Sequence, residues 1–191
     1  MINVGFALCG SFCTFKEAMI QIENLVNNGY SVTPIMSFNA AAIDTRFGKA
    51  ASHISRIEEI TGHRVIATIE DAEPIGPKKL IDALIIEPCT GNTLAKLACG
   101  VADTPVTLAA KAHLRNERPI VIAVSSNDAL AAAAVNIGKL INRQNYYFVP
   151  YRQDDPYNKS RSIISDFTKT IDTLEAALDG KQIQPVICTD L

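Results

Sequence analysis

Small polar side chains follow an apolar run in the middle of the chain, where residues 89–93 have the sequence CTGNT. Residues 83–86 are rich in isoleucine, which predicts a strand buried on both faces, and Pro88 is expected to end it in a sharp turn. A polar loop between a strand and a helix presents backbone N–H groups and hydroxyls to a ligand. The alternative is an ordinary turn in which Thr or Asn caps the helix. The candidate binding residues here are Pro88, Cys89, Thr90, Asn92 and Thr93.

Three more polar stretches follow predicted strands, at residues 10–14, 37–39 and 125–127. The first places Gly10 and Ser11 before a predicted helix, and the exposed amides of a helix N-terminus suit a phosphate. Because this loop is neither GxGxxG nor a Walker loop, we expect a monophosphate rather than a dinucleotide. The candidate binding residues in the three stretches are Gly10, Ser11, Phe12, Thr14, Ser37, Asn39, Ser125 and Ser126.

The apolar pattern predicts six strands that alternate with helices. The strands are predicted at residues 2–8, 31–36, 65–69, 83–86, 120–124 and 146–149. The helices are predicted at 15–26, 43–60 (interrupted near Gly48), 94–101, 105–114, 129–141 with Asp128 as a cap, and 162–178. Residues 150–160 are predicted to be a polar loop, and the tail from 180 to 191 to be less ordered.

This alternation predicts a single α/β domain, a Rossmann-like, doubly wound three-layer sandwich around a mainly parallel sheet of about six strands. In such a sheet the loops after strands 1, 2, 4 and 5 meet at one edge. The four polar stretches are therefore expected to form one elongated site for a small ligand that carries a phosphate and a planar part.

The amino-acid composition limits the classes of partner and the compartment that we expect for this chain. The chain has 191 residues, 48% of them hydrophobic, and a formal net charge of −2, which favours neither nucleic acid nor a membrane as a partner. The N-terminal residues lack the basic region of a secretion signal. The five cysteines form no paired pattern, so we expect reduced thiols in a cytoplasm and no metal site.

Several of these motifs resemble one family. The PCTGNT segment at 88–93 resembles the PASANT motif of the homo-oligomeric flavin-containing cysteine decarboxylase (HFCD) family, and KLACGVAD at 96–103 resembles its continuation. Cys9-Gly10-Ser11 stands where the family has its T-G-S phosphate loop, and Ser126-Asn127 resembles part of its substrate motif. The resemblance covers residues 4–140. It implies FMN, a flavodoxin-like sheet, trimers or dodecamers with FMN between subunits, and Asn127 as the candidate catalytic side chain.

This chain differs from the family at the residue that serves as the acid–base group of its decarboxylases. Its decarboxylases carry a histidine fourteen positions before the motif's proline, where this chain has Pro74. Proline has no titratable group, and His53 and His63 are interpreted as ordinary structural residues. Two alternatives nevertheless stay open: an FMN-dependent decarboxylase of a cysteine-type carboxylate, and a non-catalytic FMN-binding scaffold.

Three longer segments, at 73–77, 103–119 and 147–159, resemble a redox branch of the family. That resemblance implies an oxidoreductase that acts on a small dicarboxylate together with a companion chain carrying NAD(P). Residues 153–160 are either a lid for the companion or substrate, or a solvated loop. The candidate cations for the carboxylates are Lys111, Arg115, Arg118 and Arg152.

Overall fold

A mostly parallel sheet lies between two layers of helices in the computed structural model, which describes residues 1–188. The described chain contributes seven strands, in the order β2-β1-β3-β4-β7-β6, with β5 pairing on β4. The strands are β1 (Asn3–Leu8), β2 (Ser31–Met36), β3 (Ala83–Cys89), β4 (Ile120–Ser126), β5 (Tyr146–Phe148), β6 (Tyr151–Asp155) and β7 (Lys159–Ser165).

The helices cover both faces of this sheet. They are α1 (Phe15–Asn27), α2 (Phe38–Ala42), α3 (Ala50–Thr61), α4 (Ile69–Ala72), α5 (Gly91–Cys99), α6 (Pro105–Leu114), α7 (Ala134–Ile141) and α8 (Thr170–Leu178). Short 3-10 turns occupy Phe12–Thr14, Glu73–Ile75 and Phe167–Lys169. Among residues 1–188, no helix has both the length and the apolar content needed to cross a membrane.

Two hydrophobic clusters explain why the strands are apolar on both faces. On one side, alternate residues of β1, β3 and β4 pack against α5, α6 and α7. On the other side, the intervening residues pack against α1, α3 and α8. This double burial is characteristic of a parallel sheet with helices on both faces. The predicted doubly wound, mainly parallel α/β fold is therefore confirmed.

Two local predictions before β3 are wrong. Residues 65–69 do not form a strand, because Ile66 makes only an isolated bridge to Ile35, and Thr68 then caps α4 by accepting a hydrogen bond from the Asp71 amide. The helix predicted at 43–60 begins only at Ala50, as α3, because the amides of Thr45 and Gly48 each donate to the other's carbonyl in a closed turn before it.

The structure differs most from the predicted helices and strands in the part of the chain after β4. The predicted polar loop at 150–160 contains β6 and the start of β7, which form an antiparallel hairpin. Ser125 and Ser126 of β4 pair with Ile164 and Ile163, so the start of the predicted helix 162–178 is strand, and α8 begins only at Thr170. Helix α7 likewise begins at Ala134, after a run of turns. Pairing with a distant strand has overridden a local helical pattern in 162–165.

The predicted tail is attached to the sheet in its described part. The Gln182 side chain donates to the Phe148 carbonyl over 2.7 Å and accepts from the Phe148 amide over the same distance. The Tyr151 amide donates to the carbonyl of Val186. Residues 189–191 lie outside the described part of the chain.

Candidate functional site

A cleft of about 1060 Å³ lies at the carboxyl ends of β1, β3 and β4. Parallel strands end at the same edge of a sheet, so the loops that follow them converge there. The β6–β7 hairpin and helix α1 complete its walls. The predicted site residues that line it are Gly10, Ser11, Phe12, Thr14, Thr90, Asn92, Ser125, Ser126 and Asn127.

Hydrogen bonds tie the loop after β1 to its neighbours. The Ser11 and Ser125 hydroxyls lie 2.8 Å apart, which joins this loop to the end of β4. The Cys9 amide donates to the Pro88 carbonyl, and the Thr14 hydroxyl donates to the Ser11 carbonyl over 2.9 Å. The two serine hydroxyls are therefore held at the floor of the cleft, next to the start of α1.

The loop after β3 begins one residue later than predicted. Strand β3 continues through Cys89, so Pro88 and Cys89 are buried in the sheet and do not line the cleft. Thr90 caps α5: its hydroxyl accepts from the Thr93 amide over 3.3 Å and lies 3.1 Å from the Thr93 hydroxyl. Thr93 is only 7% exposed and supports the loop from below. The exposed Asn92 is the longest polar side chain that this loop presents to the cleft.

The loop after β2 does not line the cleft. Ser37 caps α2, where its hydroxyl accepts from the Ala40 amide over 3.3 Å. Asn39 lies behind the first loop, with its Cβ 3.8 Å from the place that a Cβ on Gly10 would take. Three of the four predicted polar stretches therefore meet in the cleft. The fourth, after β2, lies behind the first and does not line the cleft.

The loops after β3 and β4 are in close contact. A Cβ added to Gly91 would lie 2.6 Å from Asp128 Oδ1 and 2.8 Å from Ser126 Oγ, so a larger residue at this position would displace one of these side chains. The Ser126 hydroxyl donates to Asp128 Oδ1 over 2.5 Å. The local sequence predicts only a capping role for Asp128. No local pattern indicates its contact with the other loop, because the two loops are 37 positions apart in the chain (128 − 91).

Two further groups of cleft residues come from outside the four polar stretches that are predicted to form the site. The Thr45–Gly48 turn brings in Arg46 and Phe47, with the Arg46 guanidinium carbon 4.8 Å from the Phe47 ring centroid. The β6–β7 hairpin brings in Arg152, together with Asp154 and Lys159, which form an ion pair of 2.8 Å. The sequence predicts Arg152 as a candidate cation and residues 153–160 as a lid or a solvated loop, but it indicates a loop where the structure has a β-hairpin.

Arg152 is the member of the predicted cation set that lines the cleft. Arg118 instead donates to the carbonyls of Lys79 and Ile81 and pairs with Asp82 at 3.4 Å. Lys111 belongs to α6, and Arg115 directly follows that helix; neither lines the cleft.

Buried titratable groups lie beneath the cleft. Burial raises the pKa of the Cys9 thiol to about 11 and the pKa of Cys89 well above its usual value, so neither is a nucleophile at neutral pH. Burial also raises the pKa of Glu87 to about 8, and the Thr170 hydroxyl, which donates to Glu87 Oε2 over 2.6 Å, opposes this only in part. Within residues 1–188, no histidine lines the cleft.

The chain belongs to the Flavoprotein family, whose model matches residues 1–177. A polar cleft at the carboxyl edge of a doubly wound sheet is the expected site in such a fold. Among individual proteins, the chain is 43% identical to the B subunit of dipicolinate synthase from Bacillus subtilis (strain 168), over 97% of this chain and 92% of that protein.

Two solved structures are similar to this chain over nearly its whole length. The crystal structure of the dipicolinate synthase B subunit from Bacillus halodurans C matches with a TM-score of 0.91 and 40% identity, over 100% of this chain and 97% of that one. The FMN-dependent cysteine decarboxylase SpaF matches with a TM-score of 0.65 and 26% identity, over 94% of this chain and 96% of that one.

Proposed function

We propose that this protein is the FMN-binding B subunit of dipicolinate synthase. It would act with the A subunit of that enzyme, which would bind NAD(P) and is called the companion subunit below. Together they would oxidise a dihydrodipicolinate-type precursor to dipicolinate during sporulation, in the cytoplasm of the mother cell. The observation that carries the proposal is the convergence of three polar loops on one cleft, in a chain 43% identical to a dipicolinate synthase B subunit over 97% of its length.

The cleft has the size and chemistry that FMN requires. Its volume of about 1060 Å³ lies just above the usual range for small-molecule sites, roughly 300–1,000 Å³, and leaves room for a substrate beside a cofactor. Ser11, Ser125 and the loop amides before α1 would hold the phosphate, because hydroxyl and amide donors suit an anion. Thr90 and Asn92 would bind the polar edge of the flavin ring. When bound, FMN supplies a centre that accepts a hydride.

The chain's own residues would bind and orient the dicarboxylate. Arg152 has no acidic partner within ion-pair distance in the described chain, whereas Lys159, also in the hairpin, is paired with Asp154. A guanidinium can bind a carboxylate through two parallel hydrogen bonds. Asn127 is exposed in the cleft beside Ser126, where its amide could orient the substrate by hydrogen bonding.

An absorbance spectrum tests the proposal directly. The purified protein, or the protein reconstituted with FMN, is expected to show the flavin band, and adding the companion subunit, NAD(P) and the precursor should produce dipicolinate. If electrons pass through the flavin, the precursor and the companion subunit should bleach the band before NAD(P) is added. A protein that binds no FMN but supports full synthase activity would refute the flavin role.

A cysteine decarboxylase is the second candidate, because the chain is 26% identical to SpaF. Against it, Pro74 stands where the decarboxylases have their histidine, and in the structure it belongs to the turn Glu73–Ile75, outside the cleft lining. Carbon dioxide release from a peptidyl or pantothenoyl cysteine would favour this candidate. Unchanged synthase activity after replacement of Asn92 or Asn127 would instead favour a scaffold role.

We also propose that the chain forms a homo-oligomer, a trimer or a dodecamer, with the cleft close to an interface between copies. Ile20 and Phe47 line the cleft, yet each is 45% exposed in the single chain. Apolar side chains at the edge of a site are frequently covered by a partner surface. Light scattering with size-exclusion chromatography would measure the number of copies, and a monomer that binds FMN tightly would contradict the proposal.

A further inference from the structure

Asp128 occupies the space that any larger residue at position 91 would need. A Cβ on Gly91 would lie 2.6 Å from its Oδ1 atom, a separation that real contacts essentially never show. The carboxylate of Asp128 therefore fills the space beside Gly91 at the start of α5.

The contacts of Asp128 leave one carboxylate oxygen available. Oδ1 accepts the Ser126 hydroxyl hydrogen over 2.5 Å, which fixes the orientation of the group. Among residues 1–188, no side chain or amide donates to Oδ2. Two other aspartates that line the cleft are engaged differently: Asp154 pairs with Lys159, and Asp166 accepts from the Thr168 amide and hydroxyl.

A carboxylate in this position is electrostatically unfavourable for the proposed ligands. Both a phosphate and a dicarboxylate are anions, and like charges at close range repel. The Ser126 hydroxyl and the first turn of α5 reduce this repulsion but do not remove it. A group that opposes ligand binding in its own cleft is expected to have a role in the reaction.

We propose that Asp128 is the proton acceptor in the oxidation, an inference that rests on the proposed function. Oxidising a dihydropyridine dicarboxylate to the aromatic pyridine removes two hydrogens. One leaves as hydride, with the electron pair of its C–H bond, to an oxidised flavin or nicotinamide coenzyme. The other leaves as a proton from the ring to Oδ2 of Asp128, and its bonding pair forms the new ring double bond. The carboxylate then releases this proton to water, so atoms and charge balance.

The variant Asp128→Asn tests this role with little change of shape, because the amide oxygen can still accept the Ser126 hydrogen bond. We expect kcat of the complex with the companion subunit to fall about 10²- to 10⁴-fold, with FMN content and KM nearly unchanged. The control is Asp172→Asn, a change at an exposed aspartate of α8 outside the cleft.

Product binding provides a measurement that is independent of turnover. Calorimetric titration of the FMN-loaded protein with dipicolinate should give a Kd for Asp128→Asn that is equal to or several-fold below the wild-type value, because one like charge has been removed. If Asp128 instead bound the product through an essential contact, the variant would bind it more weakly, and that result would overturn the assignment.

Thermal unfolding checks the contact itself. Gly91→Ala is expected to lower Tm by about 3–10 °C, because the added methyl overpacks against Asp128. The cost should shrink in the Asp128→Ala background, where the closer clash is gone. Gly138→Ala is the matched control, since a Cβ there meets no atom within 4 Å and alanine favours the helix. Equal costs of Gly91→Ala in both backgrounds would overturn the structural premise.

These experiments distinguish a failure of the proposed function from a failure of the role assigned to Asp128. A wild-type complex that forms no dipicolinate overturns the proposed function and this inference with it. An active wild type with an Asp128→Asn variant of similar kcat overturns the inference alone and leaves Asp128 as a structural residue of the loop.

Discussion

Replacing Glu87 with glutamine is expected to remove a large part of the pH dependence of this protein's stability. Glu87 lies in the middle strand β3, is 0% exposed, and accepts one hydrogen bond at Oε2 from Thr170. Its other oxygen, Oε1, is buried without a hydrogen-bond partner in the described chain. Burial without a cation raises the pKa of this carboxyl from 4.5 to about 8, so the folded protein holds it in the neutral form at neutral pH.

The size of the effect follows from the difference between the folded and unfolded pKa values. Between pH 4.5 and pH 8 the folded state binds the Glu87 proton and the unfolded state does not, so stability falls as pH rises. The slope is about 1.4 kcal/mol per pH unit, which amounts to about 3 kcal/mol at pH 7 and about 5 kcal/mol above pH 8. Below the unfolded pKa this contribution is fully retained.

Urea unfolding between pH 5 and about pH 9 measures this slope, since those limits bracket the raised pKa and most other carboxyls stay charged. Glu87→Gln keeps the shape and an acceptor for Thr170 but has no proton to lose, so its free energy of unfolding should fall less with pH than that of the wild type. The control is Glu73→Gln, a change of the same chemistry at an exposed position. FMN and protein concentrations are held constant, because ligand binding also contributes to stability.

A specific result would refute this account. If the wild type and Glu87→Gln showed parallel pH dependence, Glu87 would already be ionised in the folded protein or would be reached by water. The same conclusion would follow if Glu73→Gln altered the slope as much as Glu87→Gln.

Three further predictions concern the cleft. Ser11→Ala should weaken FMN binding about tenfold or more, measured by fluorescence titration, because a hydroxyl donor to the phosphate and the link to β4 are both lost. Arg152→Gln should raise KM for the dicarboxylate about tenfold with kcat nearly unchanged, measured by steady-state kinetics, because a carboxylate contact is lost in ground and transition states alike. Alkylation followed by mass spectrometry should label the exposed Cys13, more slowly once FMN is bound, and leave the buried Cys9 and Cys89 unmodified.

Matched controls make these three experiments decisive. Ser52→Ala removes an exposed hydroxyl in α3, and Arg64→Gln removes an exposed charge; neither residue lines the cleft. FMN affinity that falls equally for Ser52→Ala and Ser11→Ala would contradict the phosphate assignment. An unchanged KM for Arg152→Gln would show that the substrate does not reach the hairpin. Rapid labelling of Cys89 would show that β3 opens at its end.

The alternation of strands and helices, and the edge of the sheet where the site lies, could be predicted from the sequence. Strands β1, β2 and β4 coincide closely with predicted apolar runs, and β3 begins where it is predicted, because burial on both faces requires continuous hydrophobic side chains. The polar loops after β1, β3 and β4 converge because parallel strands end together. Both features follow from local patterns and from a general rule of sheet topology.

Contacts between distant segments could only be decided by the tertiary structure. Residues 159–165 form β7 because they pair with the end of β4, although the pattern from 162 onward predicts a helix. The local sequence predicts that Cys89 lies in the ligand loop, but β3 extends through it into the core. The approach of Asp128 to Gly91 depends on two loops meeting across neighbouring strands. Hydrophobic periodicity reports whether a residue is buried, but only the folded chain determines which residues it meets.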